Sequence, residues 1–214
     1  MTLLNQISEN LQKGRVKAVQ QLVSQAIDEK TSAKEILESG LLVGMNTVGV
    51  LFKNGKIYVP EVMLAARAMN GAMAILKPLL VGEGVESLGR VCIGTVKGDQ
   101  HDIGKNLVKM MMEGSGLEVI DLGVNVAPEK FLETAMEKKC RIVACSALLT
   151  TTMARMKDVV ELFRSKGIRD QYKIMIGGAP VTEQFCRQIG ADAYTPDAAS
   201  AAEVAADFCR ASNS

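Results

Sequence analysis

The chain of 214 residues carries one histidine, and its neighbours are of the types that turn an imidazole into a metal ligand or a base. His101 follows Asp99 by two positions and precedes Gly104 by three, giving Asp-x-His-x-x-Gly within GDQHDIGKN, residues 98 to 106. A carboxylate that accepts a hydrogen bond from one imidazole nitrogen fixes the tautomer and makes the other nitrogen a better donor to a metal. The same carboxylate would orient the ring as a general base toward a hydroxyl such as that of Ser146. A glycine at position 104 lets a bulky group approach the backbone. A lone histidine after a strand is commonly a polar surface residue, so the chemistry depends on what else reaches the same place.

Two more unusual loops bear on that question: SALLTTT, residues 146 to 152, and the pair Gly177 and Gly178. They follow short β-rich runs. RVCIGTV (90–96), EVIDLG (118–123), RIVACS (141–146), YKIMIGG (172–178) and AYT (193–195) read as five strands separated by helical segments. Such alternation implies right-handed crossovers and a parallel sheet covered on both faces, and the economical order is the flavodoxin-like 2-1-3-4-5. Ligands of an open parallel sheet bind outside the carboxyl ends of the strands, beside the reversal of strand order. With strands 1, 3 and 4 as neighbours, the three unusual loops share one rim.

The N-terminal part has a different period. From residue 2 to about 81, apolar residues recur at three and four, as in Leu4, Ile7, Leu11 and in Val16, Val19, Val23, Ile27, which predicts four or five helices in a bundle. Gly14 is placed to end one helix, Ser32 with Glu35 to form a capping box, and Pro60 to sit in a first turn. VGEGVESLG (81–89) is small, polar and glycine-rich, and reads as a linker. The expected organisation is a helical domain (1–84), a linker (85–89) and a Rossmann-like five-stranded parallel α/β domain (90–214), an α plus α/β fold.

Bulk composition narrows the function. A 48% apolar content suffices for an ordinary core, and 25 basic against 24 acidic residues leaves no excess to hold a nucleic-acid backbone or an anionic membrane. No run of about 18 apolar residues appears, and MTLLNQISEN lacks the order of a signal peptide. The expected location is cytoplasmic. Cys92, Cys140, Cys145, Cys186 and Cys209 contain no Cys-x-x-Cys pair, against a disulfide framework or zinc knuckle. Twelve methionines without tryptophan suit gap-filling between helices.

From Val96 onward the sequence resembles the cobalamin-binding domain with Asp-x-His-x-x-Gly, Ser-x-Leu and Gly-Gly motifs. Here these are Asp99, His101 and Gly104; Ser146 and Leu148; Gly177 and Gly178. GMNTVGVLFKNGKIYVPEVMLAARAM (44–69) is similar to the helical cap that precedes this domain in methionine synthase and in the corrinoid proteins of methanol and methylamine methyltransferase systems. The resemblance covers nearly the whole chain. It implies cobalamin or a related corrinoid bound base-off and His-on, with His101 on cobalt and the dimethylbenzimidazole tail in a slot beside strands 1, 3 and 4. The implied binding residues are Gly98, Asp99, Gln100, His101, Asp102, Ile103, Gly104, Ser146, Leu148, Thr150, Gly177 and Gly178, with Gly94 and Ala144 as further small residues along the slot. Ser146 and Thr150 would bond the tail. Thr152 would extend His101 and Asp99 into a three-member relay; some relatives have Ser there, and either hydroxyl donates and accepts.

The implied function is methyl carriage: Co(I) takes a methyl group from a substrate-specific methyltransferase, and methyl-Co(III) yields it to a corrinoid:folate or corrinoid:thiol methyltransferase, with a reductive activator as a further partner. The chain alone is not expected to be catalytic. The cap would cover the reactive face, with Tyr58 and Met63 near the methyl group unless they are core residues, and would move about the linker. Two corrinoid alternatives are the small subunit of an adenosylcobalamin mutase, which would need a barrel from another chain, and a cobalamin-dependent regulator, for which the first 40 residues are too few and carry no basic stripe. A hydrolase of Ser146, His101 and Asp99 lacks the Gly-x-Ser-x-Gly turn. A receiver domain would want Asp where Ser146 stands, and a metal site of Asp99, His101 and Asp102 lacks further nitrogen or sulfur ligands.

Overall fold

The computed structural model describes residues 2–85 and 87–212, so residue 86 of the expected linker and the chain ends lie outside the described residues. The chain divides into two compact units, one running to Ser87 with Gly114–Gly116, the other comprising Leu88–Glu113 and Leu117–Ser214.

The first unit is helical. Helix α1 (Leu3–Gln12) starts where the Thr2 hydroxyl accepts from the Asn5 amide at 3.3 Å, and it buries Ile7, Ser8 and Leu11. It stops at Gly14, whose φ of 63° and closeness to Leu64 leave no room for a side chain. Helix α2 (Val16–Asp28) buries Val19, Val23 and Ala26 on one stripe. The next run is continuous but not uniform: α3 (Ala33–Glu35), a π-helical segment (Ile36–Leu42) and α4 (Val43–Lys53). The Ser32 hydroxyl accepts from the Glu35 amide at 3.1 Å, half of the expected capping box. Glu83 adds a second cap, its carboxylate accepting from the amides of Ala33 at 2.9 Å and Lys34 at 3.1 Å.

Helix α5 (Val59–Gly82) carries Pro60 in its first turn and Pro78 near its end. It runs two residues into the stretch whose glycines suggested a linker from residue 81. Helices α2 and α5 pack together, and Gly71 brings them close at Val16 and Gln20. Two stretches, Ala33–Lys53 and Val59–Gly82, are long and apolar enough to cross a membrane by length and composition, although interrupted by polar residues. In α5 the residues Val62, Ala65, Ala68, Met69, Ala72 and Leu76 are spent on the bundle core.

The second unit holds the sheet: β1 (Arg90–Thr95), β2 (Glu118–Asp121), β3 (Ile142–Ser146), β4 (Lys173–Gly177) and β5 (Ala193–Tyr194). The order is β2-β1-β3-β4-β5 with every pair parallel, as the alternation predicts. Its helices are α6 (Ile103–Gly114), α7 (Pro128–Glu137), α8 (Thr150–Met153), α9 (Arg155–Ser165), α10 (Glu183–Ile189) and α11 (Ala198–Ser212). One sheet face presents Cys92, Val143, Cys145, Ile174 and Ile176 to Phe131 of α7 and to Met156, Val159, Val160 and Phe163 of α9. By alternation, the opposite face presents Val91, Ile93, Thr95, Ile142, Ala144, Ser146, Met175 and Gly177.

Candidate functional site at the carboxyl edge of the sheet

Register brings the site together. Thr95 at the end of β1 lies beside Ser146 at the end of β3, and Ser146 beside Gly177 at the end of β4. The ladder continues one step further, with Val96 N donating to Ser146 O at 3.0 Å and Ala147 N to Gly177 O at 3.2 Å. The three loops that follow therefore leave the sheet side by side.

Asp99 is the centre of the constellation. It is fully buried, and its Oδ1 accepts from His101 Nδ1 at 2.7 Å and from the His101 amide at 3.1 Å. Its Oδ2 accepts from the Thr152 hydroxyl at 2.7 Å and from the amides of Leu148 at 2.8 Å and Leu149 at 3.3 Å. Burial pushes the Asp99 carboxyl up, but bonds from Thr152, His101 and the Leu148 amide outweigh it and hold the group well below the usual carboxylate range. An ionised Asp99 is acceptor-only, so neutral His101 carries its proton on Nδ1 and presents a lone pair at Nε2. The His101 side chain is half exposed, and Nε2 has no partner among the described residues.

The remaining expected residues surround this trio unevenly. Leu148 is exposed and joined to Asp99 through its amide. Gln100 and Asp102 on the loop and Ile103 and Gly104 at the start of α6 are exposed, and a side chain at Gly104 would meet open space. Asp102 turns instead to Asn106, accepting from its side-chain amide at 3.1 Å. Ser146 is half-buried and Thr150 exposed, and neither hydroxyl has a partner among the described residues. Gly178 has a φ of 129°, and a Cβ there would overlap the Ala147 carbonyl, so the second strand-end glycine is required by backbone approach.

Gly94 departs from expectation. It pairs with Cys145, not Ala144, and so lies on the sheet face opposite Ala144, Ser146 and Gly177. Phe131 and Val126 fill the space its side chain would occupy. The strand alternation was the available signal. The structure also adds residues that the motifs do not include. The Thr95 hydroxyl donates to the His101 carbonyl at 2.8 Å, and Asn125 Oδ1 accepts from the Gly98 amide at 2.8 Å. Lys105, buried in the first turn of α6, reaches Asp121 at the end of β2 at 2.5 Å.

The donor set fits a corrinoid. A half-exposed imidazole has one nitrogen fixed and the other open, and beside it the strand ends carry Ser146, Gly177 and Gly178, two glycines and a hydroxyl without a protein partner. Among the described residues no three His, Cys, Asp or Glu side chains gather as a cage for a bare ion.

Comparison with known proteins agrees with this geometry. Two family models match, each described as a B12 binding domain, over residues 89–205 and 3–77. A corrinoid protein of Desulfitobacterium hafniense is 38% identical over 208 residues, 96% of each chain. Dimethylamine corrinoid protein 1 of Methanosarcina mazei is 41% identical over 93% of this chain and 92% of its own. Among solved structures, the methanol:cobalamin methyltransferase complex of Methanosarcina barkeri matches with a TM-score of 0.87 at 30% identity, covering 97% of this chain and 80% of that one. With both halves matched, and with the one histidine set on a buried carboxylate at the sheet's edge, the chain belongs to the B12-binding corrinoid proteins.

Proposed function

We propose that this protein is the methyl carrier of a multi-component methyltransferase system, holding its corrinoid base-off and His-on. The observation that carries the reading is the bond from His101 Nδ1 to buried Asp99, which leaves Nε2 as the one imidazole lone pair directed to a ligand. A bound corrinoid supplies a cobalt centre that accepts and gives up a methyl group. His101 would hold the metal from below, and Asp99 would set how strongly it does so, because a charge-assisted hydrogen bond raises the basicity of the ring. Thr152 donates to the other carboxylate oxygen, so a proton taken up at His101 Nε2 would be offset by the charge of an Asp99 that is already held on both oxygens. Ser146 and Thr150 offer hydroxyls to the nucleotide tail, Gly177 leaves room for it, and Gly178 lets the chain pass close to Ala147 beside it.

Similar proteins named for dimethylamine and the solved methanol complex support a partnership with methyltransferases. In this reading one loads the carrier from a small methylated substrate, a second unloads it to a folate or thiol, and a reductive activator is a further partner of the carrier. The five free cysteines accord with work in the cytoplasm, where thiols stay reduced.

The test is the absorption spectrum of the purified chain after incubation with hydroxocobalamin and desalting, beside that of His101→Ala. About one corrin per chain with imidazole ligation lost in the variant supports the reading. A wild-type chain that retains no corrin after anaerobic reconstitution removes it.

A further inference from the structure

Asp99 aims the His101 ring but does not fix the backbone that carries it. Metal–ligand distances tolerate only about 0.2 Å, so a ligand on a loop needs its Cα held as firmly as its ring. Two residues outside the recognised motifs meet that need. Thr95, the last residue of β1, is fully buried, and a buried hydroxyl is costly unless bonded. Its bond goes to the His101 carbonyl at 2.8 Å. Asn125, between β2 and α7, has a φ of 55°, a conformation that non-glycine residues keep where surrounding bonds determine it. Its Oδ1 accepts from the Gly98 amide at 2.8 Å, and its backbone N–H donates to the Asp99 carbonyl at 2.9 Å.

The loop is thus fastened at Gly98 and Asp99 by Asn125 and at His101 by Thr95, one anchor before the ligand and one at it. We propose that Thr95 and Asn125 are positioning residues that clamp the 98–101 backbone, so that attachment and release of His101 are decided by its ring and not by drift of the loop. This rests on the assignment of His101 as the cobalt ligand. The clamp draws on two different elements, the end of β1 and the segment after β2. Its Asn125 half is not part of the Asp-x-His-x-x-Gly spacing at all.

The experiment uses the full chain as wild type, Thr95→Val, Thr95→Ser and Asn125→Gly. Asn125→Gly permits the left-handed backbone and keeps the main-chain N–H to Asp99, while removing the side chain that accepts from Gly98. Two quantities are read: amide hydrogen exchange of residues 98–101 without corrin, and, with cob(II)alamin bound to 15N-labelled chain at fixed pH, the nitrogen splitting in its electron paramagnetic spectrum, in which the doublet of a protein nitrogen, distinct from the triplet of the cofactor's own base, counts His-ligated against unligated chains. One net hydrogen bond corresponds to about a five-fold change, so Thr95→Val and Asn125→Gly should each lower the ligated-to-unligated ratio about five-fold and speed loop exchange comparably. Corrin content per chain stays the same, and Thr95→Ser returns both readouts to wild type. Ratios and exchange rates within two-fold of wild type in both loss variants, or no rescue by serine, overturn the clamp. Wild-type chains that hold corrin without the protein-nitrogen doublet overturn the ligand assignment and the proposed role with it. Unchanged ligation with faster loop exchange leaves the ligand assignment standing and removes the clamp's role in it.

Discussion

Asp99 Oδ2 and the Thr152 hydroxyl stand 2.7 Å apart although 53 residues separate them in the chain. That contact ties the first residue pair of the histidine loop to the short helix after β3, and it makes Asp99 a shared acceptor, not a private partner of His101. The carboxylate is stable in its buried position because side-chain and amide donors reach both of its oxygens.

Replacing Asp99 should therefore cost both ligation and stability. An Asn at 99 offers one acceptor oxygen where two are used, and turns an amide NH₂ toward donors. Hydrogen bonds to charged groups are worth roughly 1.5–3 kcal/mol, so Asp99→Asn should lower the ligated fraction of bound cob(II)alamin by about ten-fold or more and stability by about 2 kcal/mol. Thr152→Ser should match wild type, while Thr152→Val falls between. Urea titration and the ligation spectrum on the same samples check both parts.

The two glycines after β4 should separate folding from binding. Ala at 178 places a Cβ on the Ala147 backbone at a φ of 129°, and Gly178→Ala should destabilise the α/β unit by more than about 2 kcal/mol. At 177 the nearest atom to an added Cβ is the Thr195 carbonyl at 3.6 Å, an ordinary contact. Gly177→Ala should fold within about 1 kcal/mol of wild type yet bind hydroxocobalamin more weakly. Equal corrin affinity in Gly177→Ala would show that the slot does not pass that residue.

Asp121 links stability to pH. Burial raises its carboxyl, but the Lys105 ammonium and the Gly123 amide lower it further, and the net shift is downward. A group with a lowered folded pKa contributes stability that is present above its unfolded value of about 3.9 and is lost as pH falls through the folded value. The wild-type chain should lose stability on acidification below about pH 4, and Asp121→Asn should lose less over the same interval while being less stable at pH 7. Denaturation midpoints measured from pH 7 downward decide it; parallel curves would remove Asp121 from the acid limb.

Glu83 gives a prediction for the helical unit. Its carboxylate occupies the amides at the start of α3, where a negative charge also meets the positive end of the helix. Glu83→Ala should destabilise that unit by about 1 kcal/mol, and Glu83→Gln, which keeps an acceptor without the charge, by about half as much. Thermal melts followed by circular dichroism distinguish the two.

Much of this was legible in the residues. Strand order followed from the alternation of β-rich and helical runs, and Asp99, His101 and the loop after β3 converge because parallel neighbours place their carboxyl ends together. Smallness alone does not tell which sheet face Gly94 lines; its register with Cys145 puts it under Phe131, opposite Ala144 and Ser146. The bonds of Thr95 and Asn125 were not legible, since a strand-end threonine and a loop asparagine have many uses; only the tolerance of asparagine for a positive φ hinted at a special turn. The π-helical segment Ile36–Leu42 was hidden for a related reason, its apolar spacing being compatible with an ordinary helix.

The five thiols have a practical consequence. All are free and buried, and all lie at or beyond residue 92, so the helical unit contains none. Burial also pushes Cys145 up to about 12 and Cys186 up to about 11, which suppresses their reactive thiolates while the fold is closed. An alkylating reagent is accordingly a clock that hears only the α/β unit. Set against circular dichroism, which hears every helix, it times the opening of one half of the molecule separately from the melting of the other.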